Sequence, residues 1–368
     1  MNYIFIFILL LPLKWIRKLF QKKEGRNLVI QTAKIGDFIN ITPLLAHLQH
    51  SDALLSRTVA PLAQHDDTLQ TIWYIEDYKN GLVAKIQLAW QLMNRYDNVY
   101  LLHPNNANLF YAACCNAGNK QFLSNYRRKW YQGLFYWTAD GIVQHEKNTL
   151  TLENYLKLAN PAFTKESYPK HATRPLYPLA SVPAALQRQD GIKIGISISA
   201  GNKAKTIPPV VWQRLFDRLA GLPCLFYVFG APSEMDRLQE LYKVVGGREN
   251  IISLIGDIPL EGLPHAISMM DFYIASDSGN VYIADAVGVP IILIYGPCCV
   301  EEQRPLGDVL LIGPDHIAPS SFVFAALYQF HHPAEQLYAL DQRKLDDIYH
   351  FIAARQPERL SQPKPQTT

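Results

Sequence analysis

At 368 residues the chain is longer than one hydrophobic core usually spans, so two domains of ordinary size are expected, and a hydrophobic content of 49% is enough to fill both. The net charge of +3 is unevenly placed: residues 1–26 carry Lys14, Arg17, Lys18, Lys22, Lys23 and Arg26 against Glu24, a local +5, so the remainder sums to −2. Basicity confined to one end does not make the basic face that nucleic acid requires, and nucleic acid is not an expected partner.

In chain order, the first predicted element is the apolar run "YIFIFILLLPL", Tyr3 to Leu13. It falls short of the roughly 20 residues that a spanning helix needs. Followed by "KWIRKLFQKK", with Trp15 among the cations, it reads as an anchor lying in a membrane interface, held by apolar burial and by attraction to anionic lipid. The positive charge follows the apolar run and no small-residue cleavage site is present, which argues against a signal peptide. An ordinary first helix packed on the domain is the competing reading. Because the segment precedes the first core strand, it is expected to be removable with the body still folded.

Next, "NLVIQTA" reads as a buried strand, "KIGDFINITPLLAHLQH" as a loop entering an amphipathic helix with Ile39, Leu44, Leu45 and Leu48 on one side, and "DNVYLLH" as a second strand. From Tyr111 to Tyr155 the chain is aromatic and basic with weak periodicity, and no order of elements follows from it. The proline-rich "YPKHATRPLYPLASVPAAL" marks a boundary near residues 168–188. Beyond it, "GIKIGISIS", "LPCLFYVFG", "NIISLIG", "DFYIAS" and "PIILIYG" are strand-like runs separated mostly by helical patterns, of which "PPVVWQRLFDRLAG" is the clearest. Such alternation predicts a parallel sheet covered on both faces. "PAEQLYALDQRKLDDIYHFIAARQ" supplies a terminal helix, and the polar tail "PERLSQPKPQTT" is expected to be disordered.

Adjacent cysteines at 114–115 and 298–299, with Cys224 alone, match neither a zinc spacing nor a disulfide framework, and the histidines show no H-E-x-x-H grouping. Reduced thiols are expected, and neither a metal nor a cofactor is required. No G-x-G-x-x-G follows the first strand, and no phosphate-binding P-loop, nucleophile elbow or D-x-D occurs, which weakens nicotinamide, NTPase and hydrolase readings.

In open α/β sheets ligands sit beyond the carboxyl ends of strands, so the turns that follow strands carry the candidates. In "DFYIASDSGNVYIADAVGVPIILIYGP" the apolar run stops at Asp277-Ser278-Gly279-Asn280 and a helix begins, which places backbone N–H groups and the positive helix end where an anion binds. Simple capping by Asp or Ser is the plainer alternative. In "SAGNKAKTIPP", Ser199 follows a buried strand and Lys205 stands just before a helix, able to meet a diphosphate or merely to face solvent. Gly36 and Asp37 open the first predicted body helix, with Asp37 a cap or a general base, and Glu234 in "FGAPSEMDR" follows a strand end.

Taken together, "TAKIGDFINITPLLAHL", "SAGNKAKTIPPVVW", "YVFGAPSEMDR" and "LIGDIPLEGLPHAISMMDFYIASDSGNVYIADAVGVPIILIYGP" resemble glycosyltransferase family 9, the lipopolysaccharide heptosyltransferases and their relatives. The resemblance implies an α/β fold of the GT-B type: two Rossmann-like doubly wound domains facing a cleft, preceded here by the membrane-associated segment. The implied division is anchor 1–24, acceptor-side domain 25–180, nucleotide-sugar domain 181–335, terminal helix 336–355 and tail 356–368. Asp37 resembles the family's catalytic base and Lys205 its diphosphate lysine. Asp277, Ser278 and Gly279, with Asn280 beside them, resemble its donor-binding turn, and Ser199 and Glu234 match less distinctive donor-side positions. The implied reaction is metal-independent, cofactor-free, inverting transfer of a sugar, usually heptose from ADP-heptose, to a lipid-linked saccharide. The implied place is the cytoplasmic face of the inner membrane, peripheral or monotopic.

Three departures fall on the donor side: Tyr282 stands where the family commonly has His, Asp285 where it has a small residue, and Lys205-Thr206-Ile207 where it has Lys-x-Trp. They put the donor sugar in question. Tyr282 is expected to reach toward the sugar or diphosphate through its phenol, with space-filling as the alternative. It also keeps open a non-catalytic sugar-nucleotide or glycan-binding protein on the same scaffold, and a membrane-surface scaffold is a third possibility.

Overall fold

The computed structural model describes residues 2–21, 24–125, 128–160, 169–323 and 331–357, and the chain divides into two compact units, Met1–Pro175 and Leu176–Thr368. Most of the polar tail lies outside the described residues.

In the first unit, β1 (Asn27–Gln31), β2 (Ser51–Leu55), β3 (Leu69–Tyr74), β4 (Asn98–Leu101), β5 (Asn119–Ser124) and β6 (Gly141–Gln144) form one parallel sheet in the order β3-β2-β1-β4-β5-β6. In the second, β7 (Ile192–Ile196), β8 (Cys224–Val228), β9 (Ile251–Ser253), β10 (Phe272–Ala275), β11 (Ile291–Ile294) and β12 (Val309–Ile312) run β12-β11-β10-β7-β8-β9. Counted within its own unit, each has the strand order 3-2-1-4-5-6 of a dinucleotide-type doubly wound sheet. The expected two doubly wound domains are therefore present. Both sheets reverse direction beside their first strand, at β1/β4 and at β7/β10, and these are the crevices where such folds hold ligands.

The central strands are apolar on both faces because helices cover both: Leu28, Val29 and Ile30 of β1 and Ile192, Ile194 and Ile196 of β7 have no exposed surface. The predicted helix after "TIPP" spans Pro209–Leu219 and buries Val211, Trp212, Leu215, Phe216 and Leu219, a stripe at helical spacing. The terminal helix Gln342–Arg355 begins where the Asp341 side chain accepts from Lys344 N at 2.8 Å, and packs its Ile348 and Ile352 into the same core. In the aromatic and basic stretch without a legible order, the helix Asn106–Cys114, β5, β6 and the helix Thr151–Ala159 all form.

Two expectations need correction. Helix α1 (Asn2–Lys18) is not separable from the body: Ile6, Phe7 and Leu10 are buried in the core of the first unit. Tyr3 meets Phe110 with ring centroids 5.3 Å apart, Phe7 meets Phe135 edge-on at 5.4 Å, and Arg17 stacks on Trp90 at 3.9 Å. The competing reading of a packed first helix thus holds for one face of α1. Its other face exposes Phe5, Ile8, Leu9, Trp15 and Ile16, and no described helix is long and apolar enough to cross a membrane. Helix α2 (Ile35–Leu48) is not amphipathic: Gly36 and every residue from Phe38 to Leu45 are buried. The sheet lies on one side of it and the helix Thr151–Ala159 on another.

Candidate functional site

At the β1/β4 crevice the chain turns directly from Gln31 into α2. Gln31 Oε1 accepts from Ala33 N at 3.2 Å and its Nε2 donates to the buried Tyr155 hydroxyl at 3.1 Å, which fixes the turn from inside. Asp37 is the third residue of α2, half-buried, and its carboxylate accepts from Lys34 N at 3.3 Å. The capping reading is thus realised in part, but one turn inside the helix start. Gly36 beside it is buried.

A polar cluster that the sequence reading missed lies alongside. Asn108 Nδ2 donates to Thr32 Oγ1 at 2.8 Å, Asn105 Nδ2 donates to the same oxygen at 3.3 Å, and His103 Nδ1 lies 3.4 Å from it. Burial pushes His103 down to about 4, so the ring is neutral at pH 7. The available signal was the polar run "HPNNAN" placed directly after the strand "VYLL".

The β7/β10 crevice is chemically different. The Lys205 Nζ and Asp277 Oδ2 are 2.6 Å apart, the Tyr282 hydroxyl donates to Asp277 Oδ1 at 2.7 Å, and the Cys298 thiol donates to Oδ2 at 3.4 Å. Burial raises the Asp277 carboxyl, but the Lys205 ammonium and the hydrogen bonds from Lys205, Tyr282 and Cys298 outweigh it and hold the group below the usual carboxylate range. The Cys298 thiol is pushed well up by burial and by Asp277, so it stays protonated as a donor.

Ser278 is the extended residue that opens the helix Gly279–Ala286, yet its hydroxyl does not cap the helix and is buried without a hydrogen-bond partner among the described residues. Orphaned buried polar atoms are uncommon, and this one sits beside the positive end of a helix dipole. Asn280 Nδ2 donates to Ser197 Oγ at 3.1 Å, and Ser197 in turn shares a 2.7 Å hydrogen bond with Tyr273. Nearby, the Ser199 hydroxyl donates to the Glu234 carboxylate, and a side chain at Gly230 would collide with that carboxylate. The donor-side candidates therefore gather at one strand-end crevice, with Ser197, Tyr273 and Cys298 as supports that sequence alone did not show.

The three departures now have structural accounts. Tyr282 is buried and its phenol donates to Asp277, which makes it a support of that carboxylate. The Asp285 carboxylate accepts from Gly307 N at 2.9 Å and from Leu306 N at 3.1 Å, tying the helix to the loop after β11. Ile207 is part of the hydrophobic core. In each case the contacts of the side chain are with the protein's own groups. Among the described residues no three His, Cys, Asp or Glu side chains converge as a metal site.

With this geometry in view, residues 86–313 match the family model of glycosyltransferase family 9 (heptosyltransferase). The chain belongs to glycosyltransferase family 9. As a family 9 member it is a glycosyltransferase, and its two sheets are those of a GT-B-type fold. Among solved structures it is similar to the Escherichia coli ADP-heptose lipopolysaccharide heptosyltransferase II, at 16% identity and a TM-score of 0.66, covering 89% of this chain and 99% of that one. It is also similar to E. coli heptosyltransferase WaaC with ADP, at 16% identity and 0.63 over 90% and 99%, and to a family 9 transferase from Veillonella parvula DSM 2008, at 18% and 0.61 over 79% and 86%. No curated protein matches the sequence.

Proposed function

We propose that this family 9 enzyme moves a heptose from an ADP-heptose-like donor to a hydroxyl of a lipopolysaccharide or lipooligosaccharide core. The transfer inverts the anomeric carbon, needs no metal, and takes place at the cytoplasmic face of the inner membrane. The observation that carries this reading is the Lys205–Asp277 pair at the β7/β10 switch point, beside the uncapped start of the helix Gly279–Ala286. A cation and a positive helix end at one strand-end crevice suit a diphosphate. E. coli heptosyltransferase WaaC is known in a structure with ADP, which supports an adenosine diphosphate donor here.

In the proposed step the acceptor oxygen forms a bond to the anomeric carbon as the bond from that carbon to the diphosphate oxygen breaks, and the electron pair leaves with the diphosphate. Asp37 takes the acceptor proton, acting as general base. Lys205 and the amides at Ser278 to Asn280 stabilise the charge on the departing diphosphate, an effect worth ~3 kcal/mol for a single donor in comparable sites. Asp277 holds Lys205 in position and Tyr282 holds Asp277.

The test offers the full chain ADP-heptose, other ADP-sugars and UDP-sugars together with lipopolysaccharide core acceptors, and reads product by mass spectrometry and its anomer by NMR. One added heptose from ADP-heptose, of inverted configuration and undiminished by a chelator, is the expected result. Transfer from UDP-sugars alone would overturn the donor assignment, and nucleotide binding without product from any donor would overturn the catalytic one.

A further inference from the structure

Beside α1 the first unit contains a pocket of about 190 Å³ that the transfer reaction does not use. Lys14, Trp15 and Lys18 line it from α1, Lys120 from β5, and Trp137 and Asp140 from the turn before β6. A single water occupies about 30 Å³, so the space is ample for a phosphate group.

The charge in this pocket is out of balance. Lys14 and Lys120 are only 9% and 5% exposed, and among the described residues neither ammonium has a hydrogen-bond or ion-pair partner. The carboxylate of Asp140 accepts from the backbone N–H of Lys120 at 2.8 Å. Two nearly buried ammonium groups share the one neighbouring carboxylate, Asp140, which leaves an unfavourable positive excess, and burial together with the neighbouring Lys14 charge pushes Lys120 down to about 8. A bound anion would remove that penalty.

What surrounds the pocket indicates the source of the anion. Trp15 and Trp137 stand 60% and 73% exposed at its rim, and α1 presents Phe5, Ile8, Leu9 and Ile16 to the outside. Exposed tryptophans, apolar side chains and lysines brought together around one pocket are the chemistry of a lipid headgroup boundary.

We propose that the pocket formed by Lys14, Lys18 and Lys120 between Trp15 and Trp137 binds the phosphate of an anionic lipid headgroup while the exposed face of α1 enters the acyl boundary. This rests on the reading that the enzyme works at a membrane surface, and it assigns that contact a specific headgroup site. It also joins the membrane contact to the core, since the helix that carries Lys14 is the one that buries Ile6, Phe7 and Leu10.

The test compares binding of the full chain to phosphatidylcholine vesicles and to vesicles containing phosphatidylglycerol. The double variant Lys14→Gln/Lys120→Gln should lose about thirtyfold in affinity for the anionic vesicles, or roughly fivefold per lysine. A control of equal charge loss outside this unit, Arg237→Gln/Lys243→Gln, should keep the parent's affinity. In the unaltered protein, soluble dihexanoylphosphatidylglycerol should shift the amide resonances of residues 116–120 and 137–140 before others, which keeps the test decisive if the double variant does not fold. Equal binding of parent and double variant to anionic vesicles overturns the headgroup site but leaves the membrane reading standing. Failure of the parent to bind either vesicle overturns both. Inorganic phosphate filling the pocket with no preference for anionic vesicles assigns it to free phosphate and overturns the lipid assignment.

Discussion

The β1/β4 and β7/β10 crevices are topological equals with opposite chemistry. The first carries neutral groups, Thr32, Asn105, Asn108 and an uncharged His103, in the segments after β1 and β4, with the half-buried Asp37 on the helix that follows β1. The second is built on an ion pair whose carboxylate is held by three side chains. One strand order thus supplies one place suited to a neutral hydroxyl and another suited to an anion, and the difference lies entirely in the residues that follow the strands.

The sharpest way to break this division is Asp37→Asn. It should lower kcat by about 10²–10⁴ while leaving donor affinity nearly unchanged, as steady-state kinetics beside calorimetric ADP binding would show. A comparable loss of donor affinity would mean that the two crevices do not divide the substrates as assigned. Phe7→Ala asks instead whether the first unit depends on α1. Removing a fully buried ring should destabilise the protein by about 3–5 kcal/mol in a denaturant titration, whereas an anchor outside the body would leave stability untouched.

On the charged side, Lys205→Ala should reduce kcat/KM by about 10²-fold, mainly through weaker diphosphate stabilisation. Its pH signature is also fixed in sign. Asp277 has a depressed native pKa, so it contributes stability above the ordinary carboxylate pKa that is lost as pH falls through the native value. Without Lys205 the burial penalty counts for more, the native pKa rises, and acid unfolding should begin at a higher pH. Tyr282→Phe removes only the hydroxyl and should cost about 1.5–3 kcal/mol of stability, with a smaller shift of acid unfolding in the same direction and ADP affinity reduced only through Asp277. Smallest is Asp285→Asn, which weakens the hold on the 306–307 amides and should cost about 1 kcal/mol without changing which donor is used. A changed donor preference in that variant would return Asp285 to the donor side.

How much of this was legible follows from where each residue finds its partner. The turn at Asp277 was readable because an apolar run ends there and the next begins after a glycine, a local pattern. β2 was not, since it opens with Ser51 and Asp52, both buried; Asp52 is satisfied by Arg95 Nε at 3.1 Å and the Tyr96 hydroxyl at 2.8 Å, which lie far along the chain. The same non-locality hid the role of Cys298. The hydrogen bond from Tyr282 to Asp277 was not legible because Val281, Tyr282, Ile283 and Ala284 are all buried, so this run of the helix gives no outward direction to read. For α1 the composition was read correctly, but an apolar run without polar interruptions does not reveal which of its sides meets the core.

The burial of Phe7 against Phe135 also sets a schedule for the growing chain. Phe7 leaves the ribosome long before its partner exists, and at 5–20 residues per second roughly ten seconds pass before Phe135 has been made. During that interval the whole circumference of the helix, including the side destined for the interior, is open to whatever binds apolar segments. The nascent protein therefore meets chaperones and membrane surfaces as a sticky helix first and as an enzyme only later, and slowed translation between residues 7 and 135 would lengthen that exposure.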